Sequence, residues 1–300
     1  MFLSQLSVRF RCVLLTFCTR RTNKRWELLH PKSSLFRLSH TQAVIANTKN
    51  IQVVESSKEQ TAIVLMKRGK VNSFNSSFLE DFVRCISIVE KDKKYSAIIL
   101  SSSIQGVFSA GLDFQVLLNS HKKDIEVLWN AMQDAWICLY STRLATIAAI
   151  NGHCLAAGCA FAFSCDTRIA QTGDYKIGIT AARVGITAPL WVYQVFAQLV
   201  GFHQAEMSML QALLYSPVDA YNKGMVDHLS EGPSVELITN AVNISDRYLQ
   251  VSQDARAEMK LSIRSSLLDK VKATRKQELD EFVKHICSNS VQKYLQSVVQ

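Results

Sequence analysis

Two short segments hold residue types whose spacing suits chemistry done by backbone amides. The first is Val107-Phe108-Ser109-Ala110-Gly111-Leu112-Asp113-Phe114, which follows an apolar run, Ala97–Leu100, and a polar turn, Ser101–Gly106. Small residues there let a ligand approach the main chain closely. A free N–H at such a turn can donate to an oxygen that gains negative charge. A tight strand-to-helix turn with Asp113 as its cap accounts for the same residues. The second segment is Ala149-Ile150-Asn151-Gly152-His153-Cys154-Leu155-Ala156-Ala157-Gly158-Cys159. It runs from an apolar strand through Asn-Gly into small residues at a helix start. A helix N-terminus offers unpaired N–H groups and a positive dipole end. One amide from each segment could polarise a thioester carbonyl and stabilise an enolate. Close packing of a helix by small residues explains the second segment equally well.

Beyond these segments, VGITAPLW at 184–191 and PVDAYNKGMVDHL at 217–229 follow in order, and KVNSF precedes them at 70–74. Together these stretches resemble the crotonase (enoyl-CoA hydratase/isomerase) superfamily, over roughly Ile51 to Gln300. KVNSF, GVFSAGLD and GITAPLW are most similar to the mitochondrial Δ3,Δ2-enoyl-CoA isomerase branch. The resemblance implies an α/β crotonase-like fold, with repeated ββα units forming a spiral core and a helical C-terminal part. It implies an enoyl-CoA isomerase of mitochondrial fatty-acid β-oxidation, acting on an acyl-CoA or enoyl-CoA substrate. The oxyanion-hole amides would be those of Leu112 and Ala157. Ala110, Gly111, Leu112, Asp113, Phe114 and Ala157 would line the acyl-CoA cleft. No cofactor is implied, since coenzyme A enters as part of the substrate. A homotrimer or hexamer is implied by the same likeness.

The departures from the family pattern bear on activity. Isomerases of this branch place one Glu four residues before the Gly of the "GI.AP" stretch, to shuttle the proton. That Gly is Gly185 here, and the position four back is Ala181. The hydratase branch places a second Glu at a position occupied here by Ala160. Alanine neither accepts nor donates a proton. The alternative to an active isomerase is therefore a catalytically weakened acyl-CoA-binding paralogue. Asp113 and His153 are the nearest substitutes for the base. Asp113 is usually structural in the family, and a lone His in an apolar stretch is most often a packed core residue. Arg183 could pair with a phosphate or carboxylate, or with a surface acid. Lys67, Arg68 and Lys70 could meet the phosphates of coenzyme A, or form a solvated turn.

These residues need elements to position them. Ile51–Val54 and Ala62–Met66 read as strands around a polar turn. Phe78, Phe82, Ile86 and Val89 recur at spacings of three and four, which predicts an amphipathic helix from Ser76, with Ser77 as N-cap and Glu80 completing a capping box. With Ala97–Leu100 as the next strand, the order suggests a parallel pair joined by a crossover. Ile125–Tyr140 predicts a second amphipathic helix. Ala145–Ile150 reads as a strand, Ala156–Ser164 as a buried helix and Thr167–Ala170 as a further strand. Beyond Pro189 the pattern is helical except at Ser216–Asp219 and Val226–Leu229. The Lys/Glu-rich region from Asp254 to Lys284 reads as exposed helices. The expected organisation is a leader over 1–45, an acyl-CoA-binding core over 46–240 and a helical region over 241–300.

Composition sets outer limits. The 300 residues are 48% hydrophobic and 20% charged, as in ordinary globular proteins. No apolar run approaches the roughly 18–20 residues of a membrane-spanning helix. The net charge is +9, but the first 40 residues hold eight Arg and Lys against Glu27 alone. The basicity thus belongs mainly to the N-terminus, which argues against nucleic acid as a partner. That Arg- and Ser-rich, acid-poor stretch can form a basic amphipathic helix, as mitochondrial transit peptides do, and points to the matrix. Cys12, Cys18, Cys85, Cys138, Cys154, Cys159, Cys165 and Cys287 lack a nearby His pair at metal-ligand spacing. They read as free thiols in a reducing compartment, with no metal site.

Overall fold

The computed structural model describes residues 43–118 and 121–299. The expected leader lies outside the described residues. In chain order the strands and helices begin with β1 (Val44–Asn47), β2 (Ile51–Glu55), β3 (Thr61–Met66), β4 (Ser73–Phe74), α1 (Ser76–Lys91) and β5 (Ala97–Ser102). Next come β6 (Gly106–Ser109), β7 (Gly111–Leu112), α2 (Phe114–Leu117), α3 (Lys122–Ser141), β8 (Ala145–Ile150) and β9 (Gly152–Leu155). Then follow α4 (Ala157–Ser164), β10 (Thr167–Gln171), β11 (Ile177–Gly178), a 3-10 turn (Ala181–Val184), α5 (Leu190–Val200), α6 (Phe202–Leu210) and α7 (Pro217–Asn222). The last elements are β12 (His228–Ser230), α8 (Ser234–Leu249), α9 (Gln253–Ile286) and α10 (Asn289–Val299).

Seven strands form one sheet in the order β1-β2-β3-β5-β8-β10-β12. From β3 onward its neighbours pair in parallel, including the expected β3–β5 pair. A second sheet, β11-β9-β6, collects the strand that follows each of β10, β8 and β5. The chain therefore steps repeatedly from the large sheet to the small one and then into a helix. This is a mixed α/β crotonase-like fold, with long helices at its C-terminus.

The apolar strand runs are explained by burial on both faces, as parallel sheets require. Alternation still operates within them. Ala62, Val64 and Met66 face the larger core with α1 and α3, whereas Ile63 and Leu65 face a smaller core under α8. The small sheet approaches itself closely at Gly152. A Cβ there would stand 1.9 Å from the Gly106 carbonyl carbon.

Several boundaries differ from the sequence reading. Helix α1 is capped by Asn75, whose Oδ1 accepts from the Phe78 N–H at 2.9 Å. Asn75 is extended, as a cap must be, and Ser77 lies inside the helix, where its Oγ accepts from Asn50 Nδ2. Ser216 likewise caps a helix, α7, with Pro217 at its first position, where the missing N–H costs nothing. The region from Asp254 to Lys284 lies within one helix of 34 residues, Gln253–Ile286, and it is not wholly exposed. Arg256, Lys260, Leu267, Leu268 and Val271 are buried along it. The division placed near residue 240 falls inside α8.

Candidate active site

Strand β7 is held by two residues of pairing with β4, Ser73 opposite Gly111 and Phe74 opposite Leu112. The Asp113 N–H donates to the Phe74 carbonyl at 2.9 Å. The Ser73 carbonyl is taken by Arg68 Nη1 at 2.8 Å. Successive amides of a strand point to opposite edges, so the Leu112 N–H is directed away from β4. Asp113 ends the strand and caps α2, its Oδ1 accepting from the Gln115 N–H at 3.1 Å.

Helix α4 begins at Ala157, one of the positions whose N–H has no intrahelical acceptor. The residue before it, Ala156, has φ +50 and ψ −118 and gives no side-chain cap. Such a conformation in a non-glycine residue costs of order 1–3 kcal/mol and persists only where its surroundings hold it. Here the Ala156 N–H donates to the Gly178 carbonyl at 2.9 Å, which fixes the turn from outside.

The two segments meet. Gly111 has φ +88, and a Cβ placed on it would lie 2.9 Å from the Ala157 nitrogen and 2.9 Å from the Ala156 Cβ. Only glycine lets β7 pass so close to the first turn of α4.

A cavity of about 380 Å³ opens where they meet. Ala110, Leu112 and Phe114 line it from the first segment, and Ala156, Ala157 and Ala160 from the second. Ala181 and Arg183 line it from the 3-10 turn. Gly111 and Asp113 are not part of its wall. Positions 112, 157, 160 and 181, far apart in sequence, thus share one enclosure. Its volume lies in the range of small-molecule sites.

The wall is also built by residues that the sequence did not mark. Among these are Trp129 and Met132 on α3, Phe282 on α9 and Tyr294 on α10, whereas Trp191 on α5 closes the VGITAPLW stretch. No signal separated them from ordinary core positions, because an apolar residue on an amphipathic helix looks the same facing a core or a cavity.

The charged candidates have other employment. The Asp113 carboxylate meets Arg68 Nη2 at 2.7 Å through Oδ2. His153 accepts from the Lys176 N–H at 3.1 Å through Nδ1 and stands edge-on to Tyr175. Burial lowers its pKa, so it favours the neutral ring, and it does not line the cavity. Arg183 does line the cavity, with its Nε donating to the Ala212 carbonyl at 2.7 Å. Burial lowers its pKa too. Lys67 Nζ reaches Asn47 Oδ1, and Lys70 is exposed. Among the described residues no Asp, Glu, His, Lys or Cys lines this cavity.

The six described cysteines are free thiols, four of them buried. Burial pushes the Cys165 thiol up to about 12 and Cys154 well above its ordinary value, as expected of inert core thiols. Among the described residues no group of three or more His, Cys, Asp or Glu is placed to hold a metal ion, and no helix is long and apolar enough to cross a membrane.

A ββα spiral whose small-residue turns converge on an apolar cavity defines a class, and sequence comparison gives the same one. The family described as Enoyl-CoA hydratase/isomerase matches residues 56–299. The chain belongs to this family, whose enzymes use no cofactor. It is 32% identical to human mitochondrial enoyl-CoA delta isomerase 1 over 240 residues, 80% of this chain and 79% of the human protein. The rat protein of the same name is 30% identical over 250 residues, 83% of this chain and 86% of its own. Among solved structures, human mitochondrial delta3-delta2-enoyl-CoA isomerase superposes with a TM-score of 0.81 at 30% identity, covering 84% of this chain and 97% of that one. An enoyl-CoA hydratase from Bacillus halodurans, at 18% identity and a TM-score of 0.75, covers 83% of this chain and 99% of that one and shares the fold.

Proposed function

We propose that this chain binds an enoyl-CoA thioester in the cavity, with the thioester oxygen between the amides of Leu112 and Ala157, and acts at most as a slow Δ3,Δ2-enoyl-CoA isomerase. Moving a 3-enoyl double bond into conjugation removes a proton from C2 and returns one at C4. Two converging amides and a helix dipole stabilise the enolate between those events. They do not move the proton. The observation that carries this reading is that Ala181, Leu112 and Ala157 share one cavity, with no carboxylate among the described residues of its wall. General acid–base catalysis is worth roughly 10²–10⁴-fold, so its loss is severe while binding survives.

The test measures 3-enoyl-CoA binding and conversion by the purified protein and by Ala181→Glu. Micromolar binding with slow conversion is expected in the first, and faster conversion in the second. Robust turnover by the unaltered protein would refute the weakened-enzyme reading. Absence of any acyl-CoA affinity in both forms would end the functional proposal as a whole.

The likeness to mitochondrial isomerases and the basic N-terminal stretch support a matrix protein of fatty-acid β-oxidation, with residues 1–45 as its leader. A reporter fused to those residues should enter mitochondria, and a cytosolic reporter would count against the assignment. The family likeness also supports a homotrimer or hexamer, which sedimentation of the purified protein would show.

A further inference from the structure

A thioester enolate can be reached in two ways. A base removes a proton from C2, or a carbon–carbon bond at C2 breaks and leaves its electron pair behind. The first way needs a proton acceptor beside the substrate. The second needs none when the departing group is carbon dioxide.

The cavity suits the second way. Ala160 and Ala181 line it together with Leu112 and Ala157, so two small side chains leave room beside the place proposed for the thioester oxygen. Among the described residues of the wall there is no Asp, Glu, His, Lys or Cys. Thr180, Thr187, Tyr294 and Ser297 bring hydroxyls, which act as bases only when a neighbouring group takes their proton. The one charged residue of the described wall is Arg183, half-buried two positions beyond Ala181. Its Nε donates to the Ala212 carbonyl at 2.7 Å, which anchors it. A positive charge on an otherwise apolar wall favours the entry of an anionic substrate over a neutral one.

We propose that this cavity decarboxylates a 2-carboxyacyl-CoA, a malonyl-type thioester with an apolar chain at C2. This rests on the acyl-CoA reading of the cavity. The bond from C2 to the carboxylate carbon breaks, carbon dioxide leaves, and the electron pair passes into the thioester as an enolate. Negative charge thereby moves from a carboxylate, which is costly to hold among apolar side chains, to an oxygen held by two amides. Tyr294 is 47% exposed and marks a side on which the cavity meets solvent. Water entering there gives a proton to C2, and the hydroxide left over joins carbon dioxide as bicarbonate. One 2-carboxyacyl-CoA and one water thus become one acyl-CoA and one bicarbonate.

The test gives 2-butylmalonyl-CoA to the full-length protein and follows hexanoyl-CoA by chromatography. Hexanoyl-CoA should form at least about 10²-fold faster than without protein, the scale that one well-placed oxyanion donor supplies. Ala181→Glu should lower that rate at least about tenfold, because its carboxylate repels the substrate's and fills the same space. The same variant should convert 3-enoyl-CoA faster, which also shows that it is folded. Binding of 2-butylmalonyl-CoA with hexanoyl-CoA formed only at the spontaneous rate would overturn the proposal and leave acyl-CoA binding standing. Equal decarboxylation by the unaltered protein and Ala181→Glu would overturn it too, since the bond would then break outside this cavity. Binding of neither 2-butylmalonyl-CoA nor hexanoyl-CoA would remove both readings.

Discussion

The two ends of α4 sit in opposite electrostatic surroundings. At its N-terminus, Ala157 and Ala160 face a cavity whose described wall holds no carboxylate. Just beyond its C-terminus, the buried carboxylate of Asp166 meets Lys260 Nζ at 2.8 Å and Arg264 Nη2 at 2.7 Å, and accepts from the Thr146 N–H. Burial works to raise the Asp166 pKa, but attraction to Lys260 and Arg264 outweighs it and the carboxyl is held below its ordinary value. The difference separates two uses of charge. Where the proposed isomerisation needs a mobile proton, the cavity wall has Ala181 and Ala160. Where α9 must dock on the sheet, it retains an ion cluster whose groups are fixed by hydrogen bonds.

The comparison breaks most readily at its empty end. Ala181→Glu places a carboxylate in the cavity, and 3-enoyl-CoA conversion should rise by about 10²–10⁴-fold. The new carboxyl would share the wall with Ile179, Val184 and Ile186, which disfavour its charged form, and with Arg183, whose positive charge favours it. Conversion unchanged by the substitution would show that the cavity does not hold the reacting atoms.

At the filled end, Asp166→Asn leaves Lys260 and Arg264 buried without their counter-ion. Breaking a buried pair from one side costs about 3–5 kcal/mol, which denaturant titration would measure. A loss below 1 kcal/mol would show that α9 is held by its apolar contacts alone. The same cluster predicts a pH dependence of known sign. Asp166 has a lowered pKa in the fold, so its contribution is present above the unfolded carboxylate pKa and is lost as pH falls through that range. Burial, the largest influence on Lys260, pulls its pKa down to about 8 despite Asp166. Between about pH 8 and the unfolded lysine value the unfolded chain binds more protons, so stability from this group rises with pH. Across that interval the melting temperature of the unaltered protein should rise relative to that of Lys260→Met, which lacks the titrating group.

The meeting of β7 with α4 gives an intermediate effect. Gly111→Ala forces an L side chain into φ +88 and against the Ala157 nitrogen. The substitution should cost about 1–3 kcal/mol and weaken acyl-CoA binding, because β7 and α4 must part. Unchanged stability and affinity would mean that the close approach is relaxed in solution.

How much of this was legible in the sequence depends on the range of each signal. The strands at Ile51, Ala62, Ala97, Ala145 and Thr167 could be placed because each is a short apolar run between polar turns. Helix α1 could be placed from its apolar face, yet its cap could not, since Asn75, Ser76 and Ser77 are all plausible cap residues and the choice depends on the extended backbone at Asn75. The turns around Leu112 and Ala157 were visible as small residues, but the fact that they touch was carried only by family likeness. Contacts across long separations left no local trace. Lys260 reads as one more charge on a solvated helix until Asp166, 94 residues away, is set against it. Trp129 reads as core until the cavity behind it is seen.

The smallest effect concerns a carboxylate within the first of the two segments. Asp113 neighbours Leu112 in sequence, yet its Oδ2 is engaged by Arg68 and its Oδ1 caps α2. If charge beside the cavity is structural, as at Asp166, then Asp113→Asn keeps an acceptor for the Gln115 N–H and loses only the charge facing Arg68. The pair is partly exposed, with side-chain accessibilities of 22% and 14%, so solvent screens it and the expected loss is about 1 kcal/mol. Combined with Ala181→Glu, the substitution should change conversion of 3-enoyl-CoA by well under tenfold at temperatures where both forms are folded. A hundredfold fall there would mean that Asp113 transfers the proton. The contrast between a cavity whose described wall holds no carboxylate and a docked helix built on one would then fail at the cavity, because a working base would stand one residue beyond Leu112.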